Sequence, residues 1–459
     1  MTLEEGLLLF ISILLFYTIG VFILKKKGIF EKYNISLYGP ALLFRTKRGI
    51  NFLKKIASKK RFWKSYGNFG VVFILIIMIF FVIFFLWQFN LLIGLSPEQR
   101  QMLPGPEFML VLPGINPILP LEFIIYILIG LIVAILVHEF SHGILTLASD
   151  LKVKSMGVMY MIIPIGAFVE PDEEQMKETK ITKRMRVYAV GPLANLVTFF
   201  ICFLLFAFVF MGSAQPVSDG VVIVTLSDDA PADNYGFQQG MIISSINNTS
   251  INDYYDFFVV MNDSEAGSEV EIQYYWHGLK TKQVVLSDKY EEYAKRWPSM
   301  NNASYKGKGY LGIGPTSHDV YLSVLKDPFG YNIQDRFMYF IGLPIFGYFE
   351  GYNPIVYPFT ESYEITGPLG ILPNSVFWAI VNIIYWIAWL NLMVGLFNVL
   401  PMIPLDGGFL FNDYIRLTVL KIKKGISKDN LEKIVKNVSL VVSLFILFLI
   451  LFQFFVKYI

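Results

Sequence analysis

Apolar residues recur along this chain in long stretches, separated by segments that hold nearly all of the charge. A helix crossing about 30 Å of hydrocarbon needs about 20 apolar residues. Six stretches reach that length: Gly6–Leu24, Phe69–Leu95, Pro120–Leu147, Val187–Gly212, Val376–Leu400 and Val438–Val456. A seventh, Phe337–Phe349, contains Pro344 and would reach only about 20 Å as a helix, so it reads as interfacial or re-entrant. In the first stretch the basic residues follow the apolar run and no small-residue cleavage site is visible, which fits a retained span and not a cleavable signal.

Between the fourth and fifth stretches the pattern changes to short alternating segments. Gly220–Leu226 and Met241–Asn247 read as strands, and Asp253–Met261 as a short helix. Val270–Trp276 and Gln283–Leu286 form a hairpin around His277-Gly278, and Gly309–Ile313 is a last strand. After the third stretch, Val153–Glu170 stands apart: Val158–Phe168 is apolar but broken by Pro164 and Gly166.

Composition agrees with a membrane protein. Of 459 residues 55% are apolar and only 16% charged, against about 25% charged in a soluble domain. A disordered, collagenous or ordinary soluble chain is excluded. A net charge of +2 provides no field for nucleic acid, so no nucleic-acid partner is expected. Cys202 is the one cysteine, which excludes a disulfide framework and any multi-cysteine metal site. Charge also sets an expected orientation. The loop Lys25–Lys64 holds thirteen Lys or Arg against the single acid Glu31, and such loops stay cytoplasmic. Alternation then puts the N-terminus and Ser213–Asn374 outside, with Asp150–Arg186 and Phe411–Asn437 inside.

Four histidines remain to be placed. His277 and His318 lie in the external region and read as ordinary surface or fold residues. His138 and His142 lie inside the third stretch, four apart and therefore on one helix face. Such a pair offers two nitrogens to one tetrahedral zinc, and Glu139 beside them is placed to take a proton from water. Ionisable groups in mid-bilayer cost about 2.5–3.5 kcal/mol each on insertion scales, so three within five residues call for a metal. Zinc hydrolases use three protein ligands and keep one position open. The best third ligand is Asp406, at the cytoplasmic end of the fifth stretch, in Asn398-Val-Leu-Pro401-Met-Ile-Pro404-Leu-Asp406-Gly407. His138 sits about 27 Å along its span from the external end at helical rise. Both motifs are thus expected in the cytoplasmic half of the bilayer.

These motifs resemble the site-2 protease family of intramembrane zinc metalloproteases. The match runs from Pro120 to Gly408. It includes His-Glu-x-x-His, then Gly191-Pro192-Leu193-Ala194-Asn195 in the next span, then Asn-x-x-Pro-x-x-x-Leu-Asp-Gly. The resemblance implies one Zn2+ per chain held by His138, His142 and Asp406, with Glu139 as general base and acid. It implies that Asn195, Asn398, Pro401 and Pro404 shape the site or touch the substrate. Residues 213–315 resemble a PDZ domain, which binds extended peptides at a sheet edge, and Val153–Glu170 resembles the family's re-entrant β-hairpin. The expected fold is a polytopic α-helical membrane protein with about six transmembrane helices, a re-entrant β-hairpin and an extracytoplasmic PDZ-like α+β domain.

The expected organisation is a two-span region (1–119), two catalytic halves (120–212 and 376–411) flanking the PDZ-like domain and an interfacial segment (316–375), and a C-terminal loop and span (412–459). The expected function is cleavage of transmembrane segments of membrane-protein substrates, in contact with membrane lipid, with a peptide ligand implied for the PDZ-like domain. Composition rich in Ile, Phe, Lys, Asn and Tyr suggests a prokaryotic cell membrane. The alternatives are a non-catalytic membrane adaptor, for which Glu139 would be superfluous, and a metal transporter, for which an internal repeat would be expected and none is found.

Overall fold

Long apolar helices fall where the hydrophobic pattern requires them. The structure is a computed structural model that describes residues 3–458 except 34, 39–40, 104, 106–107, 109–115, 117, 120 and 162. In chain order the elements used below are α1 (Leu3–Lys26), β1 (Ile35–Tyr38), β2 (Ala41–Thr46), α2 (Ile50–Ala57), α3 (Lys60–Ile93), α4 (Ile124–Ala148), β3 (Val153–Met161), β4 (Ile163–Pro171) and α5 (Ile181–Leu204). They continue with β5 (Val221–Leu226), β6 (Ile242–Ile246), α6 (Tyr254–Asp263), β7 (Glu269–Tyr275), β8 (Leu279–Val285), α7 (Lys289–Arg296), β9 (Ile313–Thr316), α8 (Asn374–Val399), α9 (Asp406–Ile422) and α10 (Lys428–Phe455).

Among the described residues five helices are long and apolar enough to cross a membrane: Lys60–Ile93, Leu121–Ala148, Ile181–Met211, Asn374–Val399 and Lys428–Tyr458. They coincide with five of the six expected spans. The first expected span is the 24-residue helix α1. The run containing Pro344 is a 17-residue helix, Ile333–Phe349, that carries the proline inside it.

The chain divides into two units. The first comprises Met1–Met109, Ile125–Ile201 and Trp386–Ile459. Helices in lipid gain no hydrophobic drive from burying one another, so they approach through small residues. Gly130 lets α4 close on the backbone of α8: a Cβ there would lie 2.6 Å from the Trp386 carbonyl oxygen. On α3, a Cβ at Gly70 would lie 2.9 Å from the Leu193 side chain of α5. Ile74 and Met78 of α3, Met185, Ala189 and Leu193 of α5, Val399 of α8 and Leu410 of α9 then form one buried cluster. Elsewhere α3 keeps Ile76, Ile79, Phe80 and Ile83 exposed, as a lipid-facing surface requires.

The same unit holds a four-stranded antiparallel sheet in the order β1-β2-β3-β4. Strands β3 and β4 form the hairpin expected over Val153–Glu170, with Val158 opposite Ala167. Strands β1 and β2 were not expected. They come from the basic loop, where β2 pairs along β3 with Leu43 opposite Met159. Among the described residues the sheet therefore ends at β4 on one side and β1 on the other.

The second unit, Leu110–Ile124 with Cys202–Tyr385, contains the α+β domain. Its main strands run β8-β7-β6-β5-β9. Strand β7 alternates buried Val270, Ile272 and Tyr274 with less buried neighbours, and these pack with Val221, Ile243, Phe257 and Leu286 in one core. The last strand is displaced from the expected Gly309–Ile313. Gly309–Tyr310 pair instead with Ser287–Asp288, and Gly312, at φ 88°, turns the chain before β9 pairs with β5. Between these pairs α7 is inserted, its first amides capped by the Asp288 carboxylate.

Candidate metal centre

Helix α4 places His138 and His142 one turn apart, with their ring centroids 4.8 Å from each other. The outer nitrogen of each ring is held by a neighbour on α5. His138 Nδ1 lies 2.7 Å from Asn195 Oδ1, and His142 Nδ1 lies 2.7 Å from the carbonyl oxygen of Val187. The Asn195 amide can face only one way, because its Nδ2 donates to the Ala134 carbonyl at 2.9 Å. Both Nδ1 atoms therefore face acceptors and carry the ring proton. That leaves each Nε2 as a lone pair directed inward.

The two lone pairs converge on a carboxylate. His138 Nε2 and His142 Nε2 each lie 2.9 Å from Asp406 Oδ2 and 3.2 Å from each other. Three acceptor atoms gathered in this way, with His138 buried, repel unless a cation sits among them. The donor set fits zinc: ligands about 2.0–2.1 Å from one ion in tetrahedral geometry stand about 3.3 Å apart. One oxygen and two nitrogens form such a group here, with all ligand atoms within 4.8 Å of one another. The expected cofactor, a single Zn2+ ion, fits the three residues.

Glycines make the approach of α5 and α9 possible. At Gly191 a Cβ would run into His142 Nε2 and would lie 2.8 Å from His138 Cε1 and Nε2. At Gly408 a Cβ would meet the Met402 carbonyl at 2.6 Å. Asp406 is the first residue of α9, delivered by a tight turn in which Met402 N–H donates to Leu400 at 2.7 Å and Leu405 N–H to Met402 at 2.8 Å. Pro401 and Pro404 lie in that turn.

The other expected residues are distributed as follows. Glu139 is partly buried, and its Oε2 accepts the Val169 N–H of β4 at 2.9 Å. Asn195 is fully buried; its second Nδ2 bond goes to Asn391 Oδ1 at 2.9 Å. Asn398, in the last turn of α8, is half-buried and donates to the Val394 carbonyl at 3.0 Å. Two participants escaped the sequence: the Val169 amide, a main-chain group with no side-chain signal, and Asn391, whose Nδ2 donates to Ile387 of its own helix at 2.8 Å. The seven-residue spacing of Asn391 and Asn398 on one helix was the signal available for Asn391.

Comparison with known proteins agrees with this geometry. The sequence profile described as peptidase family M50 matches residues 126–450, more than half of the chain. An uncharacterized protein of Methanocaldococcus jannaschii is 26% identical over 405 residues, covering 87% of this chain and 84% of that protein. A candidate zinc metalloprotease of Clostridium acetobutylicum is 25% identical, over 61% of this chain and 82% of its own. The zinc metalloprotease RasP of Shouchella clausii is 23% identical, over 53% of each chain. A profile match of that length, on a chain whose membrane-spanning helix bears a zinc-fitting cluster, makes this protein a member of peptidase family M50, an intramembrane zinc metalloprotease of the site-2 protease type.

Proposed function

We propose that the protein cleaves transmembrane segments of other membrane proteins, with Glu139 carrying the proton. The observation that carries this reading is the placement of Glu139 between two metal-ligating histidines on α4, one of its oxygens anchored by the Val169 N–H. Zinc bound there supplies Lewis acidity, activating a water and polarising a carbonyl. Glu139 takes the proton from the attacking water as its oxygen bonds to the scissile carbon. It returns that proton to the amide nitrogen as the C–N bond breaks. Asn398, in the last turn of α8, is the residue assigned in this reading to hold substrate backbone. Pro401 and Pro404 shape the turn that presents Asp406.

Asn195 acts in this reading by positioning: it fixes the tautomer and tilt of His138, and Asn391 fixes Asn195 in turn. Asn391→Leu removes one of the two acceptors of Asn195 Nδ2 and leaves the Ala134 carbonyl. Outer-sphere losses of this kind cost about 10–100-fold in metal affinity. Zinc competition against a chromophoric chelator should show a drop of that size; unchanged affinity would remove Asn391 from the site.

The hairpin β3–β4 supports a re-entrant role. Among the described residues strand β4 ends its sheet, and an edge beside Glu139 is suited to hold an unwound substrate as a further strand. Basic loops support a cytoplasmic location for residues 25–64 and 150–186, which puts the site in the cytoplasmic half of the bilayer and residues 213–374 outside. For residues 213–315, the order strand, strand, helix, hairpin, strand supports a PDZ-like domain that screens substrates.

The test is where the cut falls. Purified protein in detergent is incubated with a single-span substrate, and the fragment ends are mapped by mass spectrometry. The expected ends lie inside the apolar segment, and a zinc chelator should abolish them until zinc is restored. Ends confined to the polar flanks would refute cleavage within the membrane.

A further inference from the structure

Helix α2 carries none of the sequence motifs, yet it backs the metal centre. Its inner face is Ile50, Leu53 and Ala57, all buried. Leu53 is fully buried, in one cluster with Ile144 and Leu145 of α4, Val169 of β4 and Val190 of α5. The fit is closest at the residue after His142: a Cβ at Gly143 would stand 2.9 Å from Leu53 Cδ1 and 3.0 Å from Val169 Cγ1. Val169 is the residue whose N–H holds Glu139 at 2.9 Å. A leucine from the basic loop thus supports the strand that anchors Glu139. The far end of α2 is fixed by Trp63, whose Nε1 donates to the Ile56 carbonyl at 2.9 Å.

The outer face of α2 is of the opposite kind. Residues Lys47–Lys64 include eight Lys or Arg and no acid. Lys60 and Lys64 pair with Asp150. Lys47, Arg48, Lys54, Lys55, Lys59 and Arg61 are exposed and, among the described residues, make no ion pair. Phe52 and Phe62 are exposed between them. The segment leads straight into α3, where the exposed apolar residues Phe69, Val72 and Ile76 begin within two turns of Lys64. A helix of eight residues is marginal by itself in water, and like charges along it repel. Unpaired cations interleaved with aromatic side chains beside a span are complementary to an anionic bilayer surface, which favours each such cation about fivefold.

We propose that α2 binds anionic phospholipid head groups through Lys54, Lys55 and their basic neighbours, and that this contact seats Leu53 against Gly143 and Val169. The lipid neutralises the outer face, and Phe52 and Phe62 enter the head-group layer beside α3. The inner face then holds β4, and with it Glu139, in place. Bilayer charge thereby sets the rate of cleavage without touching the metal. The inference rests on the cytoplasmic placement of residues 25–64 and on the role proposed for Glu139.

The test uses the full-length protein in two kinds of nanodisc, phosphatidylcholine alone and phosphatidylcholine with about one-third phosphatidylglycerol. Amide hydrogen exchange across Ile50–Ala57 and fragment formation from a single-span substrate are measured on the same discs. Phosphatidylglycerol should slow exchange of these amides about tenfold and raise the cleavage rate severalfold, at unchanged zinc content. Lys54→Gln combined with Lys55→Gln should erase both effects and leave the rate in phosphatidylcholine as it was. Lys54→Arg combined with Lys55→Arg should keep both. Exchange and rate indifferent to phosphatidylglycerol would overturn the proposal and leave the basic face simply solvated. Slowed exchange at an unchanged rate would overturn the link through Leu53 while the lipid contact stands. Survival of both effects in the glutamine variant would overturn the assignment to Lys54 and Lys55. Absence of cleavage in both discs would count against the proposed function and not against the lipid contact, which exchange decides by itself.

Discussion

Glu139→Gln should abolish cleavage while the protein keeps its zinc. The substitution is nearly isosteric, and a glutamine oxygen can still accept the Val169 N–H that Glu139 accepts at 2.9 Å. The anchoring of the side chain and of β4 thus survives. What disappears is the capacity to take up a proton and hand it on. General acid–base catalysis contributes about 10²–10⁴-fold; because this one carboxylate serves both steps, the rate of fragment formation should fall by at least about 10³-fold. Zinc content measured on the same preparation should remain about one per chain, since His138, His142 and Asp406 are untouched. Cleavage at the unaltered rate would remove Glu139 from the mechanism. Loss of both zinc and activity would reassign it to holding the metal centre together.

The parts of this site that were legible in the sequence are those whose geometry is local. Residues four apart on a helix share a face, so the convergence of His138 and His142 followed from spacing alone. Asp406 is 264 residues from His142. It was found because the depth of each span in the bilayer is nearly as restrictive as proximity. Asn391 was missed because an asparagine in a span has many uses, and its role exists only through Asn195 on another helix. Strands β1 and β2 were missed for a related reason. Ala41–Phe44 is a short apolar run inside a strongly basic loop, and Ala41–Thr46 is a strand because Leu42–Thr46 find partners more than a hundred residues away on β3. The displaced last strand is a local failure: Gly312 has a left-handed backbone that ends one pairing and starts another, and a glycine in a run of Tyr, Leu and Ile does not announce which.

Gly191 extends that lesson, because its importance lies in an absent side chain. Gly191→Ala should empty the metal centre. Helix α5 presents residue 191 directly to the two ligand rings: a methyl group there would collide with His142 Nε2 and stand 2.8 Å from both Cε1 and Nε2 of His138. Separations under 3.0 Å are not tolerated by real Cβ atoms, so something must move. Neither ring can yield cheaply, since His138 is tied to Asn195 and His142 to the Val187 carbonyl, each at 2.7 Å. Both of those anchors belong to α5 as well. Retreat of α5 by a few tenths of an ångström would relieve the clash only by stretching the bonds that orient the ligands. Disturbing one outer-sphere partner costs about 10–100-fold in metal affinity. Disturbing both while crowding both ligand atoms should cost more than about a hundredfold, with cleavage falling in step. The expected result is a protein that reaches the membrane at ordinary levels, contains little zinc by metal analysis, and regains part of its activity at raised zinc concentration. A Gly191→Ala protein with one tightly held zinc and full activity would show that α5 does not press on the ligands as described.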